Sequence, residues 1–171
     1  ISAHLAVPVF LSRFNPAAAV PAGDRITLGF IGIGKRARSL LGRFLSFDSV
    51  QVLAVSEVVR ERLMDGKKRV DEHYRKKQGK SAGKSCDAYN DFRTVIARDD
   101  IEALVIATPD FWHAPQVIAA AKAGKDIYCE KPLSLVIDHG RKMVDAVRNH
   151  NIIFQTGSQQ RSEYGGKFRR A

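Results

Sequence analysis

Short runs rich in Val and Ile alternate along this chain with stretches in which apolar residues recur at helical spacing, and that alternation admits few folds. Strands buried on both faces need helices to cover them and crossovers long enough to hold those helices, the pattern of a parallel sheet wound on both sides. The strands expected are Ile26–Ile31, Val50–Ser56, Ala103–Ala107, Asp126–Cys129 and Ile152–Gln155, with a weaker one around Cys86. Leu40, Leu41, Phe44 and Leu45 share one helical face after the first strand; Val136, Gly140, Met143, Val144 and Val147 share one in the last helix, with Ser134 as its expected N-cap. Another helix is expected from near His113, with Pro115 tolerated in its first turn, to Gly124, a C-cap position that needs positive φ. The expected fold class is therefore α/β, a doubly wound parallel sheet.

With 171 residues, 44% of them apolar, the chain is long enough to bury a core, which excludes a disordered tail or a fibre. Its net charge of +10 suggests nucleic acid or an anionic surface, but ten basic residues against four acidic ones between Arg60 and Lys84 carry six of those charges. That segment offers only His73 and Tyr74 for stacking on a base, and from Lys67 to Lys84, with Gly79 and Gly83, it reads as the solvated end of a long helix running into a loop. Cys86 and Cys129 stand 43 residues apart without a CxxC, so neither a disulfide framework nor a metal site is expected. Residues 1–24, with Pro8, Pro16 and Pro21, make a poor membrane-spanning helix; they read either as the back half of an export signal, which implies a periplasmic or exported protein, or as a disordered extension of a cytoplasmic one. The folded domain is expected over 25–151, with 152–171 carrying the last strand and the start of a further domain.

The first strand runs into Gly32-Ile33-Gly34-Lys35-Arg36-Ala37, a match to GxGxxG/A at the strand-to-helix turn where that spacing has a mechanism. Gly32 permits the tight turn, Gly34 lets a diphosphate approach the backbone, and Ala37 is small enough for close packing of helix on strand. The second strand ends at Glu57, 25 residues after Gly32, where a carboxylate meets the adenosine ribose hydroxyls. An acid there favours NAD over NADP, while Lys35, Arg36, Arg60 and Arg62 keep NADP as the alternative.

Ligands in such sheets lie beyond the carboxyl ends of the strands, which directs attention to Thr108-Pro109-Asp110-Phe111-Trp112-His113 and to Glu130-Lys131-Pro132. A lysine beside a nicotinamide can orient a substrate hydroxyl or move its proton, and Glu130 is the expected partner that tunes it. The bland alternatives are a surface ion pair for Glu130 and Lys131, a packing or capping role for His113, and an arginine-paired carboxylate for Glu57.

Taken together, GFIGIGKRA at 29–37, AVSE at 54–57, ATPDFWHA at 107–114, AGKDIYCEKPLSL at 123–135 and QTGSQQRS at 155–162 resemble the Gfo/Idh/MocA oxidoreductases, named for glucose-fructose oxidoreductase and inositol dehydrogenase. The resemblance implies an N-terminal Rossmann domain that binds NAD or NADP, followed by a larger α/β domain that completes the substrate pocket and supports homo-oligomers. It implies that Lys131 stands at the nicotinamide and substrate with Glu130 and Pro132 beside it, and that Thr108, Pro109, Trp112 and His113 line the cofactor cleft. The acid-base residues of the family's second domain have no counterpart here. Two departures, Ala37 for a third glycine and Glu57 for the more frequent aspartate, leave the fingerprint intact.

The function so implied is hydride transfer between a nicotinamide cofactor and a hydroxyl-bearing carbon of a small sugar or cyclitol, with neither nucleic acid nor membrane as a partner. Two alternatives stand beside it: NAD-dependent glycoside cleavage on the same fold, and a non-enzymatic scaffold whose basic segment binds nucleic acid.

Overall fold

The computed structural model of the chain describes residues 22–78 and 85–159. Six parallel strands form one sheet: β1 (Ile26–Ile31), β2 (Val50–Ser56), β3 (Asp87–Tyr89), β4 (Ala103–Ile106), β5 (Asp126–Cys129) and β6 (Phe154–Thr156), in the order β3-β2-β1-β4-β5-β6. Five helices connect them: α1 (Lys35–Leu45), α2 (Arg60–Gln78), α3 (Phe92–Ile96), α4 (His113–Lys122) and α5 (Ile137–Asn149). The chain leaves β1 toward one edge and returns at β4 toward the other, which opens a crevice above the β1/β4 junction.

Period-two alternation in the strands divides the core between the two faces. Leu28 and Phe30 of β1 and Val105 of β4 pack with Leu40, Leu41 and Leu45 of α1 and Leu63 and Val70 of α2. On the other face Ile31, Leu104 and Ile106 pack with Val95 of α3, Val117 and Ala121 of α4, and Met143 of α5. The alanines of α4 let it lie close to the sheet; the helix ends at Lys122 with Ala123 as its C-cap, and the positive φ, +69°, falls on Gly124 one position after the cap.

Register brings the carboxyl ends into one row. Ile31 lies opposite Ser56 and Ile106, Ser56 opposite Tyr89, and Ile106 opposite Cys129, which faces Thr156. The next residue along each chain closes the row by hydrogen bonding sideways: Gly32 N–H donates to Ser56 O, Ala107 N–H to Ile31 O, Glu130 N–H to Ile106 O and Gly157 N–H to Cys129 O. Every loop expected to carry chemistry thus leaves from one rim.

Several sequence expectations are corrected in detail. Strand β4 ends at Ile106 because Ala107 already turns out of the ladder, β6 begins at Phe154 rather than Ile152, and β3 starts just after Cys86. Ser134 does not cap α5: the helix starts at Ile137 with extended Val136 at the cap position and no side-chain cap bond. Val136 and Val144 are exposed because the buried side of α5 runs through Met143 and Ala146, with Val147 beside them. The short α3, capped by the Asp91 carboxylate on Arg93 N–H, was not anticipated. The leader reading of 1–24 falls on residues that, up to 21, lie outside the described ones, as do Gly79, Gly83 and 160–171.

Candidate active site

The glycine turn has the geometry its letters require. Gly32 sits at φ +87°, a region that L side chains rarely adopt, and a Cβ there would stand 2.9 Å from Ala107 O. Gly34 is the N-cap of α1, with no side chain capping the helix and nothing within 4 Å of where a Cβ would project. The first-turn amides of α1 have no partner within the helix, and at this end the helix dipole favours an anion. Ala37 is fully buried and Ile33 packs under α2 beside Leu63, so these two members of the turn serve the fold.

Glu57 reaches back across the rim. One carboxylate oxygen accepts Ile33 N–H at 2.9 Å and the other accepts Val59 N–H at 3.0 Å, while Asn90 Nδ2 donates to its carbonyl at 3.1 Å. Backbone amides hold this carboxylate, rather than the arginine partner of the bland alternative, and each oxygen keeps a lone pair for a further donor.

A cleft of about 760 Å³ opens between these elements. Gly32, Gly34, Lys35, Arg36, Glu57, Thr108, Pro109 and Trp112 line it, with Arg62, Asn90, Phe92, Arg93 and Phe111. Phe92 and Trp112 meet edge to face at 6.0 Å, Phe111 tilts against Trp112 at 6.4 Å, and the Arg93 guanidinium lies 4.9 Å from the Phe92 ring centroid. The sequence reading missed Asn90, Phe92 and Arg93 because a three-residue strand gives no periodicity to follow; the Asn90-Asp91 pair ahead of α3 was the available signal.

Besides Ile33 and Ala37, four expected site residues stand outside the walls of that cleft. His113 is buried, with Nδ1 2.8 Å from Pro132 O and Nε2 2.9 Å from Thr108 O, so it ties the exits of β4 and β5 together. Thr108 Oγ1 donates to Gln116 Oε1 at 2.7 Å, which fixes the first of those loops from below. Lys131 and Pro132 are exposed at the β5 exit and joined by a cis peptide bond. Glu130 is buried, and the expectation that it partners the Lys131 ammonium is corrected: its carboxylate holds Arg36 through Nε and a terminal nitrogen, both at 2.8 Å, and Tyr128 Oη at 3.2 Å. Burial, and then the Glu130 charge, push the Tyr128 phenol up to about 12, so it remains a donor.

Among the described residues no group of three His, Cys, Asp or Glu side chains is placed to hold a metal ion, and no helix is long and apolar enough to cross a membrane. The residues present fit a dinucleotide: uncapped amides and an open Gly34 for the diphosphate, a fixed carboxylate for ribose hydroxyls, and apolar walls for a flat ring.

A family model described as the oxidoreductase family with NAD-binding Rossmann fold, GFO_IDH_MocA, matches residues 26–158. A glycosyl hydrolase family 109 protein of Shewanella pealeana is 33% identical over 126 residues, 74% of this chain and 27% of that protein. A 2,7-anhydro-N-acetylneuraminate hydratase of Mediterraneibacter gnavus is 35% identical over 83 residues, 48% of this chain and 22% of its own length. The chain thus spans about a quarter of the curated relatives it matches. Among solved structures, a probable dehydrogenase from Thermotoga maritima superposes with a TM-score of 0.68 at 27% identity, over 80% of this chain and 37% of that one. Scyllo-inositol dehydrogenase from Lactobacillus casei, solved with NAD(H) and scyllo-inositol, shares the fold at TM-score 0.66 and 24% identity, over 78% and 36% of the two chains. Sheet order, glycine turn and family match agree: this chain belongs to the Gfo/Idh/MocA oxidoreductase family and carries its NAD-binding Rossmann domain.

Proposed function

We propose that the chain binds NAD in the cleft above β1 and β4 and presents Lys131 to a sugar or cyclitol hydroxyl at the nicotinamide end. The observation that carries this is the joint placement of the uncapped α1 N-terminus, Gly32 at positive φ and the amide-held Glu57 around one cleft. The amides of the glycine turn bind the diphosphate, with Lys35 at the rim, and Glu57 accepts from the adenosine ribose while repelling a 2'-phosphate. Phe92, Phe111 and Trp112 exclude water from the flank of the cleft. The cofactor, when bound, supplies the hydride chemistry. Lys131 donates to the substrate oxygen and orients its carbon toward the cleft.

Calorimetric titration with NAD and with NADP tests the cofactor assignment: saturable binding that favours NAD supports it, and no binding by a cooperatively folded chain overturns it. A panel of inositols and hexoses, followed by NADH absorbance, tests the substrate class. NAD-dependent glycoside cleavage is the second reading, favoured by the family 109 name of the Shewanella relative. Release of nitrophenol from a nitrophenyl glycoside without net NADH formation would select it.

A further inference from the structure

The Glu130 carboxylate is the most enclosed charge at the rim, with a side chain only 4% exposed, and every polar group given to it is a donor. On Oε1 converge Arg36 Nε and a second Arg36 nitrogen at 2.8 Å and Tyr128 Oη at 3.2 Å; on Oε2 lies Lys131 N–H at 3.2 Å. Gly157 closes the last side: a Cβ there would lie 2.7 Å from Glu130 Cδ and from Tyr128 Oη, nearer than packed carbons approach. Three chain segments therefore meet on one carboxylate: the first turn of α1, whose Arg36 lines the cleft, the β5 exit that carries Lys131, and the β6 exit at Gly157.

A buried carboxylate needs donors in place of the water it has lost, and the Arg36 guanidinium meets it through two nitrogens. Its side chain then acts on Lys131 through the main chain and not through the ammonium. We propose that Glu130 is a positioning residue: by holding Arg36 and the Lys131 N–H together it sets where the Lys131 side chain starts relative to the diphosphate end of the cleft. This rests on the reading of Lys131 as the group beside the nicotinamide. Glutamine cannot replace it, because its amide nitrogen would face either Arg36 or Lys131 N–H, donor against donor.

The test is the rate at which acetic anhydride modifies Lys131, followed by peptide mass spectrometry, with and without saturating NAD so that weaker binding is not mistaken for lost positioning. NAD is expected to protect Lys131 about tenfold in the parent chain, and Glu130→Gln to reduce that to below about twofold, the scale of one charge-assisted hydrogen bond. Lys35 should keep its protection in both proteins. Unchanged protection of Lys131 in Glu130→Gln overturns the proposal and leaves Glu130 a structural ion pair. Should that variant lose its cooperative melt, Arg36→Lys, which puts one nitrogen where two stood, decides by the same criterion. An unprotected Lys131 in a parent chain that binds NAD removes the placement of Lys131 and this proposal with it, whereas a parent chain that binds no NAD removes the cofactor assignment itself.

Discussion

Two regions of this molecule are dense in charge, and they use it in opposite ways. Along α2 the basic residues alternate with acids at helical spacing, and Lys67 pairs with Asp71, Lys68 with Glu72 and Arg69 with Asp65, while Lys77 reaches Asp48 across the surface. Most of these side chains face water, where an ion pair is worth a few tenths of a kcal/mol and the strong fields of the separate charges cancel. At the rim the Glu130 carboxylate is enclosed, and Arg36 supplies it with donors that water is not there to replace. The number of charges in a segment therefore says little about function; their burial decides. Among the described residues four of the eight basic side chains from Arg60 to Lys77 are paired in this way, and Arg60, Arg62, Arg75 and Lys76 stay exposed, so the positive excess persists as solvated charge.

The largest effect is expected at Glu130. Glu130→Ala should cost about 2–4 kcal/mol of unfolding free energy, read by urea denaturation, because it removes the buried acceptor of Arg36, Tyr128 Oη and Lys131 N–H and opens a cavity beside Gly157. Gly32→Ala should follow, at about 1–3 kcal/mol, since it forces a Cβ toward Ala107 O at positive φ, and calorimetry should show the NAD affinity falling with it. Glu57→Ala should weaken NAD by about tenfold and narrow the gap to NADP, through the lost ribose acceptor. Equal NAD to NADP ratios in parent and variant would remove that role.

Smaller effects sharpen the other side. Asp71 is the exception within α2: burial raises its pKa, but Cys86 N–H, Lys67 and Ser85 outweigh that and hold it below the usual carboxylate range. A group depressed on folding stabilises above its unfolded pKa, so its contribution should be complete at neutral pH and fade as the pH falls through the ordinary carboxylate range and below. Asp71→Asn should flatten that limb of an acid titration of stability. Lys68→Ala should change stability by less than about 0.5 kcal/mol, and a DNA mobility shift with the chain should vanish at moderate salt. Retention of DNA at moderate salt would restore function to the α2 stripe.

The strands, the glycine turn and Glu57 were legible before any coordinates because each rests on local rules: period-two burial, a positive φ that only glycine accepts cheaply, and a fixed separation between the turn and the acid one strand later. Thr108, Pro109 and Trp112 stand in the cleft wall because the loop that carries them leaves β4 at the shared rim. What could not be read was pairing. Glu130 stands next to Lys131 in the chain yet holds Arg36, 94 residues away, because successive residues at a strand exit point to opposite sides. His113 looked like a cleft residue and is a buried tie between two loops. Gly157 had no visible reason until Tyr128 and Glu130 were found pressed against it.

The sheet, the crossover helices other than α3, and the family follow from the order of residues alone, since hydrophobic period and turn chemistry are short-range and need no knowledge of distant neighbours. Only the tertiary structure decided which charges are enclosed and which are wet, and so which of the polar residues at the rim hold the site together. That depends on contacts between segments far apart in the chain, where desolvation magnifies a pairing that in water would be worth almost nothing.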